Sequence, residues 1–239
     1  MTTPYVSTFF DGIREGARQS ARIVVPLLLE LCQPNQIRRV ADVGCGTGGW
    51  LRVFADHRIA VAGFDGDYVD REKLEFPIDC FTSIDLNRPK SLGENYDLVT
   101  CLEVGEHLPD AVSDDLVRTL TDASPVVAFS AAIPGQGGTH HVNEQWPGYW
   151  ADRFVACGYV GVDCLRHQLL GNPQVEWWYQ QNLVIYVNAA KLDVYPTLAS
   201  YHRHCEGRVP AIVHPSLLER WKEWGIGESN RYWELAGKK

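Results

Sequence analysis

The sequence predicts an α/β fold in which seven strands form a mostly parallel sheet, with an antiparallel last strand and helices on both faces. Short β-branched and apolar runs alternate with helical segments, as in parallel strands joined by crossover helices. The last two runs are separated by the turn signal Gly171-Asn172-Pro173, and no clear helix is predicted between them. Together these observations predict a hairpin that closes a parallel sheet.

The apolar runs place the individual elements. Strands are predicted at residues 38–43, 60–65, 80–84, 96–101, 126–130, 159–165 and 182–187. Helices are predicted at residues 50–56, 113–122 and 144–157, between the strands. The spacing of these elements assigns residues 37–188 to a single ligand-binding core.

The two ends of the chain have a different character from the core. Residues 1–36 are predicted to form a helical cap that Pro34 ends, and its apolar side chains Ile23, Leu27, Leu28 and Leu31 share one helical face. Residues 189–239 are predicted to form a tail with one helix, at 216–224, that packs on the core.

Composition excludes several classes of protein. With 239 residues, of which 45% are hydrophobic and 22% charged, the chain has ordinary globular composition. A net charge of −8 argues against a nucleic-acid partner, because binding a phosphate backbone needs clustered cations. The longest apolar run, 23–29, is too short to span a membrane, and no secretory signal is recognisable. Seven cysteines without a CxxC pair predict reduced thiols in a cytoplasmic protein, and a homodimer stays open.

The sharpest motif lies where the first strand runs into a helix. It reads Asp42-x-Gly44-x-Gly46-x-Gly48, and its glycines allow a tight turn and let a ligand approach the amides at the helix start. The spacing alone fits a nucleoside cofactor or a dinucleotide. Asp42 would oppose dinucleotide phosphates but could bind an amino-acid ammonium through water. Asp65, at the end of the second strand, could accept both ribose hydroxyls.

These residues resemble the class I S-adenosylmethionine-dependent methyltransferases over roughly residues 38–188. Asp42 to Gly48 matches the family's first motif, Asp65 its ribose-binding acid, and Asp85-Leu86 its adenine-binding pair. The resemblance implies a Rossmann-like sheet and S-adenosylmethionine as cofactor. It implies cofactor contacts from Asp42, Gly44, Cys45, Gly46, Gly48, Asp65, Gly66, Asp85, Leu86 and Leu102.

A second informative stretch, Glu103-x-x-Glu106-His107, follows the fourth strand. Carboxylates and an imidazole at this edge of the sheet suit Mg²⁺ or Mn²⁺ better than zinc. The loop after the fifth strand adds His140 and His141. A structural interpretation, in which these groups cap helices or bind loop backbone, stays open.

The pattern formed by both stretches resembles the metal site of small-RNA 2′-O-methyltransferases and ubiquinone-biosynthesis O-methyltransferases. That resemblance implies Glu103, Glu106, His107 and His141 as metal ligands. It leaves His140 as a neighbour available as general base, so His107, His140 and His141 are the candidate catalytic residues.

The sequence therefore predicts an O-methyltransferase, Mg²⁺-dependent, that acts on a hydroxyl of a small-molecule or oligosaccharide acceptor, with a sugar or glycan favoured. Enzymes that O-methylate mannose-containing polysaccharides are similar in the activity expected. Tryptophans predicted on the acceptor side are Trp146, Trp150, Trp177 and Trp178, whereas Trp221 and Trp224 are predicted to pack along one helix face. The alternatives are a metal-independent methyltransferase of a phenolic or other metabolite with a histidine base, an NAD-dependent oxidoreductase, and a non-catalytic cofactor-binding subunit.

Overall fold

The computed structural model describes residues 7–88 and 91–223, with side chains from residue 15 onward. Seven strands form one sheet in the order β3-β2-β1-β4-β5-β7-β6. Strand β7 runs antiparallel to β5 and β6, and the remaining strand pairs are parallel. The predicted fold class is confirmed. The strands are β1 Arg39–Val43, β2 Ala60–Asp65, β3 Phe81–Ser83, β4 Leu98–Leu102, β5 Val126–Ser130, β6 Tyr159–Val162 and β7 Val184–Asn188.

Helices cover both faces of this sheet. In chain order they are α1 Ser7–Leu31, α2 Gly49–Asp56, α3 Ser113–Ala123, α4 Pro147–Ala156, α5 Arg166–Leu169, α6 Trp177–Asn182, α7 Pro196–His204 and α8 at 215–223. The apolar faces of α1 and α2 pack on one side of the sheet, and those of α3 and α4 pack on the other. This arrangement leaves the carboxyl ends of the parallel strands open at one edge.

The buried face of α1 differs by about one residue from the predicted one. Leu28 and Leu31 are buried as expected, but Ile23 and Leu27 are only half-buried. Val24 and Val25 are fully buried in their place. The sequence offered two adjacent apolar stripes, and packing against α2 and the sheet selected between them.

The connection between β6 and β7 was predicted wrongly. It contains α5 and α6, which have four and six residues. Helices this short are not stable by themselves and carry no usable periodicity. They are fixed by tertiary contacts, such as the hydrogen bond from the Gly171 amide to Gln180 Oε1 (2.7 Å).

The tail holds more helix than the one segment predicted. A 3₁₀ segment, Ala189–Val194, and helix α7 precede α8. Trp224 lies outside the described residues. Within those residues the cysteines form no disulfide, and no helix combines the length and apolarity needed to cross a bilayer.

Candidate active site

A cavity of about 890 Å³ opens at the carboxyl edge of the sheet, where β1, β2, β3 and β4 end. Nine of the ten residues predicted to contact the cofactor line it: Asp42, Gly44, Cys45, Gly46, Asp65, Gly66, Asp85, Leu86 and Leu102. The predicted ligands Glu103, Glu106, His107 and His141 line the same cavity. The topology therefore brings both sequence motifs to one site.

Three glycines of the loop between β1 and α2, Gly44, Gly46 and Gly48, have a positive φ, and two of them are also closely packed. Gly44 has φ +79°, and a Cβ there would come within 2.3 Å of Val104. Gly48 has φ +85°, and its Cβ would come within 2.2 Å of the Phe76 ring. Gly48 does not line the cavity, although it was predicted to contact the cofactor. The turn into α2 and the close packing on Phe76 explain why position 48 is a glycine.

Two buried acids face the loop from neighbouring strands. Burial raises the pKa of Asp42 to about 7, although a hydrogen bond from the Thr100 hydroxyl (2.6 Å) lowers it. Burial also raises the pKa of Asp65, although its carboxylate accepts hydrogen bonds from the amides of Gly46 and Gly66 (both 2.7 Å) and from the Tyr68 hydroxyl (2.6 Å). Two anions held out of water in this way favour a cationic or hydroxyl-bearing ligand.

The raised pKa of Asp42 predicts a pH dependence of folding stability. Because the folded state holds a proton that the unfolded chain releases above its ordinary pKa of 3.8, Asp42 reduces stability as the pH rises from about 4 to about 7. We expect Asp42→Asn, which keeps the oxygen that accepts from Thr100, to be more stable than wild type at neutral pH by on the order of a few kcal/mol.

Urea unfolding of the cofactor-free protein across this pH range measures the difference between variant and wild type. His107, whose pKa burial lowers to about 4, contributes the opposite slope in both proteins, so it cancels in the comparison. A constant difference between the two proteins from acid to neutral pH would contradict the assignment.

Asp85 and Leu86 follow β3. The exposed Asp85 carboxylate accepts hydrogen bonds from the backbone amide (3.0 Å) and the side-chain amide (3.3 Å) of Asn87. Leu86 is buried. This local turn holds both residues at the rim of the cavity, beside β2.

Glu103 occupies a strained position directly after β4. Its φ is +55°, rare for a residue with a side chain, and its amide donates to the carbonyl of Ser130 (2.9 Å). The side-chain amides of Gln136 and Asn182 donate to its carboxylate at 2.9 Å and 3.1 Å. Burial raises the pKa of Glu103, whereas these hydrogen bonds oppose the shift. No sequence motif pointed to Gln136 or Asn182, which come from a loop and a short helix far away in the chain.

Three of the four predicted metal ligands form a compact group. The ligand atoms of Glu106, His107 and His141 all lie within 4.8 Å of one another, and Glu103 is outside this group. The backbone carbonyl of Glu106 accepts from the amides of Val142 and Asn143 (2.8 and 3.0 Å). These two bonds tie the loop after β5 to the segment after β4 and so bring His141 to Glu106.

The Glu106 carboxylate is the least satisfied polar group of the site. It is fully buried, and neither oxygen has a well-formed hydrogen bond among the described residues; weak interactions come from the backbone of Glu106 itself and of Ala132 and from the neighbouring Glu103 carboxyl group. Burial, and then the nearby Glu103, raise the pKa of Glu106 well above its ordinary value. A buried carboxylate without a partner is costly, and a bound cation would offset that cost.

His107 and His141 line the cavity, whereas the adjacent His140 does not. Burial and the nearby His141 lower the pKa of His107 to about 4, so His107 is neutral at physiological pH. The rings of His107 and His141 meet edge to face at 4.9 Å. The His140 side chain, predicted as a base, is exposed and does not line the cavity. A φ of +58° at His140 turns the chain, so that His141 and not His140 faces inward.

Aromatic side chains of α6 form one wall of the cavity. Trp177, Trp178 and Tyr179 of α6 line it, together with Arg220 of α8. The prediction for the other acceptor-side tryptophans was wrong. Trp150 is 2% exposed within the α4 core and Trp146 is 42% exposed outside the cavity. Trp221 packs on Gly135 and donates to its carbonyl (2.8 Å), which anchors α8 beside the loop after β5.

Comparisons with known proteins agree with this geometry. A family model described as a methyltransferase domain matches residues 14–170. No curated protein sequence matches the chain closely enough to count as a relative.

Solved structures share the fold at low sequence identity. The chain is 18% identical to CalS10, an amino pentose methyltransferase from Micromonospora echinaspora, with a TM-score of 0.57 over 79% of this chain and 99% of that one. It is 16% identical to KedS8, a sugar N-methyltransferase from Streptoalloteichus, with a TM-score of 0.59 over 79% and 94%. It is 19% identical to the magnesium protoporphyrin IX methyltransferase of Synechocystis, with a TM-score of 0.52 over 78% and 86%.

The family match covers more than half of the chain, and it decides between the nucleoside cofactor and the dinucleotide that the glycine spacing left open. It also excludes the oxidoreductase and the non-catalytic subunit. The chain belongs to the class I S-adenosylmethionine-dependent methyltransferases.

Proposed function

We propose that this enzyme transfers the methyl group of S-adenosylmethionine to a hydroxyl of a sugar or glycan, with the help of a divalent metal ion held by Glu106, His107 and His141. The observation that carries the proposal is the Glu106 carboxylate, fully buried and without a well-formed hydrogen bond among the described residues, in a cavity next to two imidazoles. Buried polar groups in folded proteins are nearly always hydrogen-bonded, and the exceptions cluster at functional sites.

The cofactor is assigned to the part of the cavity lined by β1, β2 and β3. Asp65 would accept the ribose hydroxyls, Asp85 and Leu86 would contact the adenine, and Asp42 would hold the methionyl ammonium through water. The burial of Asp42 and Asp65 supports this orientation, because a cation and two hydroxyls would satisfy carboxylates that otherwise stay desolvated. The transferred methyl group would then point toward the end of β4, where Glu103 and Glu106 lie.

The three clustered side chains fit a six-coordinate divalent ion. Donors around such an ion are about 3 to 4.3 Å apart, so ligand atoms within 4.8 Å of one another lie close to coordinating positions. Neutral His107 can offer a lone pair, and Glu106 can offer a carboxylate once a cation opposes its protonation. One carboxylate and two imidazoles suit Mn²⁺ at least as well as Mg²⁺. When bound, the ion would lower the pKa of an acceptor hydroxyl.

The choice of a sugar acceptor rests on the cavity wall. Trp177 and Trp178 line the cavity, and the faces of aromatic side chains can stack on sugar rings. A vicinal diol offers two oxygens to one metal site, which a simple alcohol does not. Two proteins of similar fold, CalS10 and KedS8, act on an amino pentose and on a sugar.

A metal-independent reaction is the second candidate, and one observation favours it. The Nδ1 atom of His141 lies 2.8 Å from the Glu144 carboxylate, as in acid–imidazole pairs that prepare a histidine to accept a proton. In this alternative, His141 takes the proton of the acceptor hydroxyl directly. Activity that survives complete metal removal would select it.

A screen of sugar acceptors with isotope-labelled S-adenosylmethionine and Mn²⁺ tests the proposed activity. Labelled product from a sugar supports the proposal, and label transferred only to phenols or amines contradicts it.

With a positive acceptor in hand, we expect Trp177→Ala to raise the acceptor KM by roughly fivefold, the loss of about 1 kcal/mol of stacking. Trp146→Ala, exposed and outside the cavity, is the matched control and should change neither KM nor kcat. Equal effects of the two variants would remove Trp177 from the acceptor site.

A further inference from the structure

The side chain of Glu144 organises the loop that joins β5 to α4. Its Oε2 accepts from the Gly135 amide (2.7 Å), and its Oε1 accepts from the Gly137 amide (2.7 Å). The same Oε1 lies 2.8 Å from Nδ1 of His141. Both side chains of this pair are mostly buried, at 12% exposure for His141 and 19% for Glu144. The Glu144 carboxylate thus binds two backbone amides of the loop and the ring of His141.

This contact determines which nitrogen of His141 faces the cavity. A carboxylate only accepts hydrogen bonds, so in neutral His141 the proton lies on Nδ1 and the lone pair on Nε2. One face of the ring lies against Gly138, where an added Cβ would come within 2.3 Å of Nε2, 2.6 Å of Cε1 and 2.9 Å of Cδ2. The imidazole is therefore held by Glu144 at Nδ1 and packed by its face on the backbone of Gly138, which leaves the in-plane lone pair of Nε2 unblocked by that residue.

Glu144 does not line the cavity, so it would act through His141 and not on a ligand directly. We infer that Glu144 is a positioning residue, which fixes the tautomer and ring orientation of His141 so that its Nε2 lone pair is available beside Glu106 and His107. The inference rests on the proposed metal site for its importance to the reaction. A carboxylate behind a ligating imidazole raises the basicity of the ligand and lowers the entropy lost on binding.

The first test measures metal affinity and not turnover. Calorimetric titration of Mn²⁺ into the S-adenosylhomocysteine complex should show binding weakened 10- to 100-fold in Glu144→Gln. A glutamine cannot accept from all three donors, because its NH₂ group would face one of them. In the His141→Ala background the same change should have little further effect, since Glu144 acts only through that ring. Glu72→Gln, which changes an exposed acid that does not line the cavity, is the control and should bind Mn²⁺ as wild type does.

Gly138→Ala is a second variant that tests whether the position of the His141 ring determines the affinity for Mn²⁺. The backbone of Gly138 accepts a side chain, but the new Cβ would push the ring away while leaving Glu144 intact. We expect a similar loss of Mn²⁺ affinity, so the inference can be tested even if Glu144→Gln folds poorly. Wild-type affinity in both variants, or an equal loss from Glu144→Gln with and without His141, overturns the inference.

Long-range ¹H–¹⁵N NMR of the histidine rings separates this inference from the proposed function. At alkaline pH and without metal, His141 of the wild type should show the proton on Nδ1, and Glu144→Leu, whose side chain accepts no hydrogen bond, should lose that preference. If the wild type binds no Mn²⁺ yet the tautomer shifts in the variant, the metal site is refuted and the positioning role stands. An unchanged tautomer in Glu144→Leu refutes the positioning role itself.

Discussion

Chelation with EDTA should reduce kcat by at least roughly 100-fold while S-adenosylhomocysteine still binds, and added Mn²⁺ or Mg²⁺ should restore turnover. The reason lies in the separation of the two halves of the cavity. The glycine loop, Asp65 and Asp85 line one part, and the group of Glu106, His107 and His141 lies after β4 and β5. Loss of the ion leaves the first part intact. Paired assays of kcat and of S-adenosylhomocysteine affinity, with and without EDTA, check both statements.

Glu106→Gln should have the same effect as chelation: turnover should be lost while S-adenosylhomocysteine still binds. The amide keeps the shape of the acid but removes the anionic ligand, so Mn²⁺ affinity and kcat should fall together. The metal-free variant should melt at the same temperature as the wild type or above it, because Glu106 is a fully buried acid without a well-formed hydrogen bond among the described residues. His141→Ala should be equally damaging to kcat, and the double variant little worse, since ligands of one ion act as a unit.

Glu103→Gln tests whether Glu103 is a fourth ligand of the metal ion, beside Glu106, His107 and His141. Gln136 and Asn182 both reach Oε2 of Glu103 (2.9 and 3.4 Å), so the oxygen of an amide in that place can accept from both. A purely structural Glu103 should therefore tolerate the amide with modest loss of Mn²⁺ affinity. A loss as large as that from Glu106→Gln would restore the fourth ligand that the resemblance implied. Full activity in EDTA, with His141→Ala still active, would refute the metal site and return these groups to loop and capping roles.

The parts of the site that the sequence predicted are those that follow strands directly. Asp42, Asp65 and Glu106 lie in or within four residues of the end of a parallel strand, and parallel strands all end at one edge. Position along the chain therefore translates into position in space. The same logic fails for Gln136 and Asn182, because a loop and a six-residue helix bring them to Glu103.

The choice between neighbouring residues of one type could not be derived from the residues themselves. The resemblance named His141 and not His140 as a ligand, but which of the two faces the cavity depends on a single positive φ in the loop. Tryptophans were equally ambiguous. Trp150 is drawn into the core against Phe129, whereas Trp177 lies on a helix too short to show a periodicity. Tertiary packing, which a single sequence does not display, chose between these possibilities.

Asp65→Ala should weaken S-adenosylmethionine binding by about 1.5–3 kcal/mol, or roughly 10- to 100-fold in Kd, the loss of hydrogen bonds to a charged group. Asp65 is 3% exposed at the end of β2 and is held by the Gly46 and Gly66 amides, so its carboxylate is already oriented before the cofactor arrives. Calorimetric titration with S-adenosylhomocysteine measures the effect without turnover, and Mn²⁺ affinity, which depends on another part of the cavity, should stay unchanged.

Tyr68→Phe is the matched variant for this prediction. The Tyr68 hydroxyl donates to Oδ1 of Asp65, one of the two oxygens that ribose hydroxyls would share, so it would compete with the cofactor for that acceptor. Its removal should leave the cofactor affinity unchanged or raise it a few-fold, whereas removal of the acid itself should lower it. If Asp65→Ala binds S-adenosylhomocysteine as tightly as the wild type, the ribose lies elsewhere in the cavity. If Tyr68→Phe weakens binding as much as Asp65→Ala does, the Tyr68 hydroxyl contributes to cofactor binding and does not compete with it.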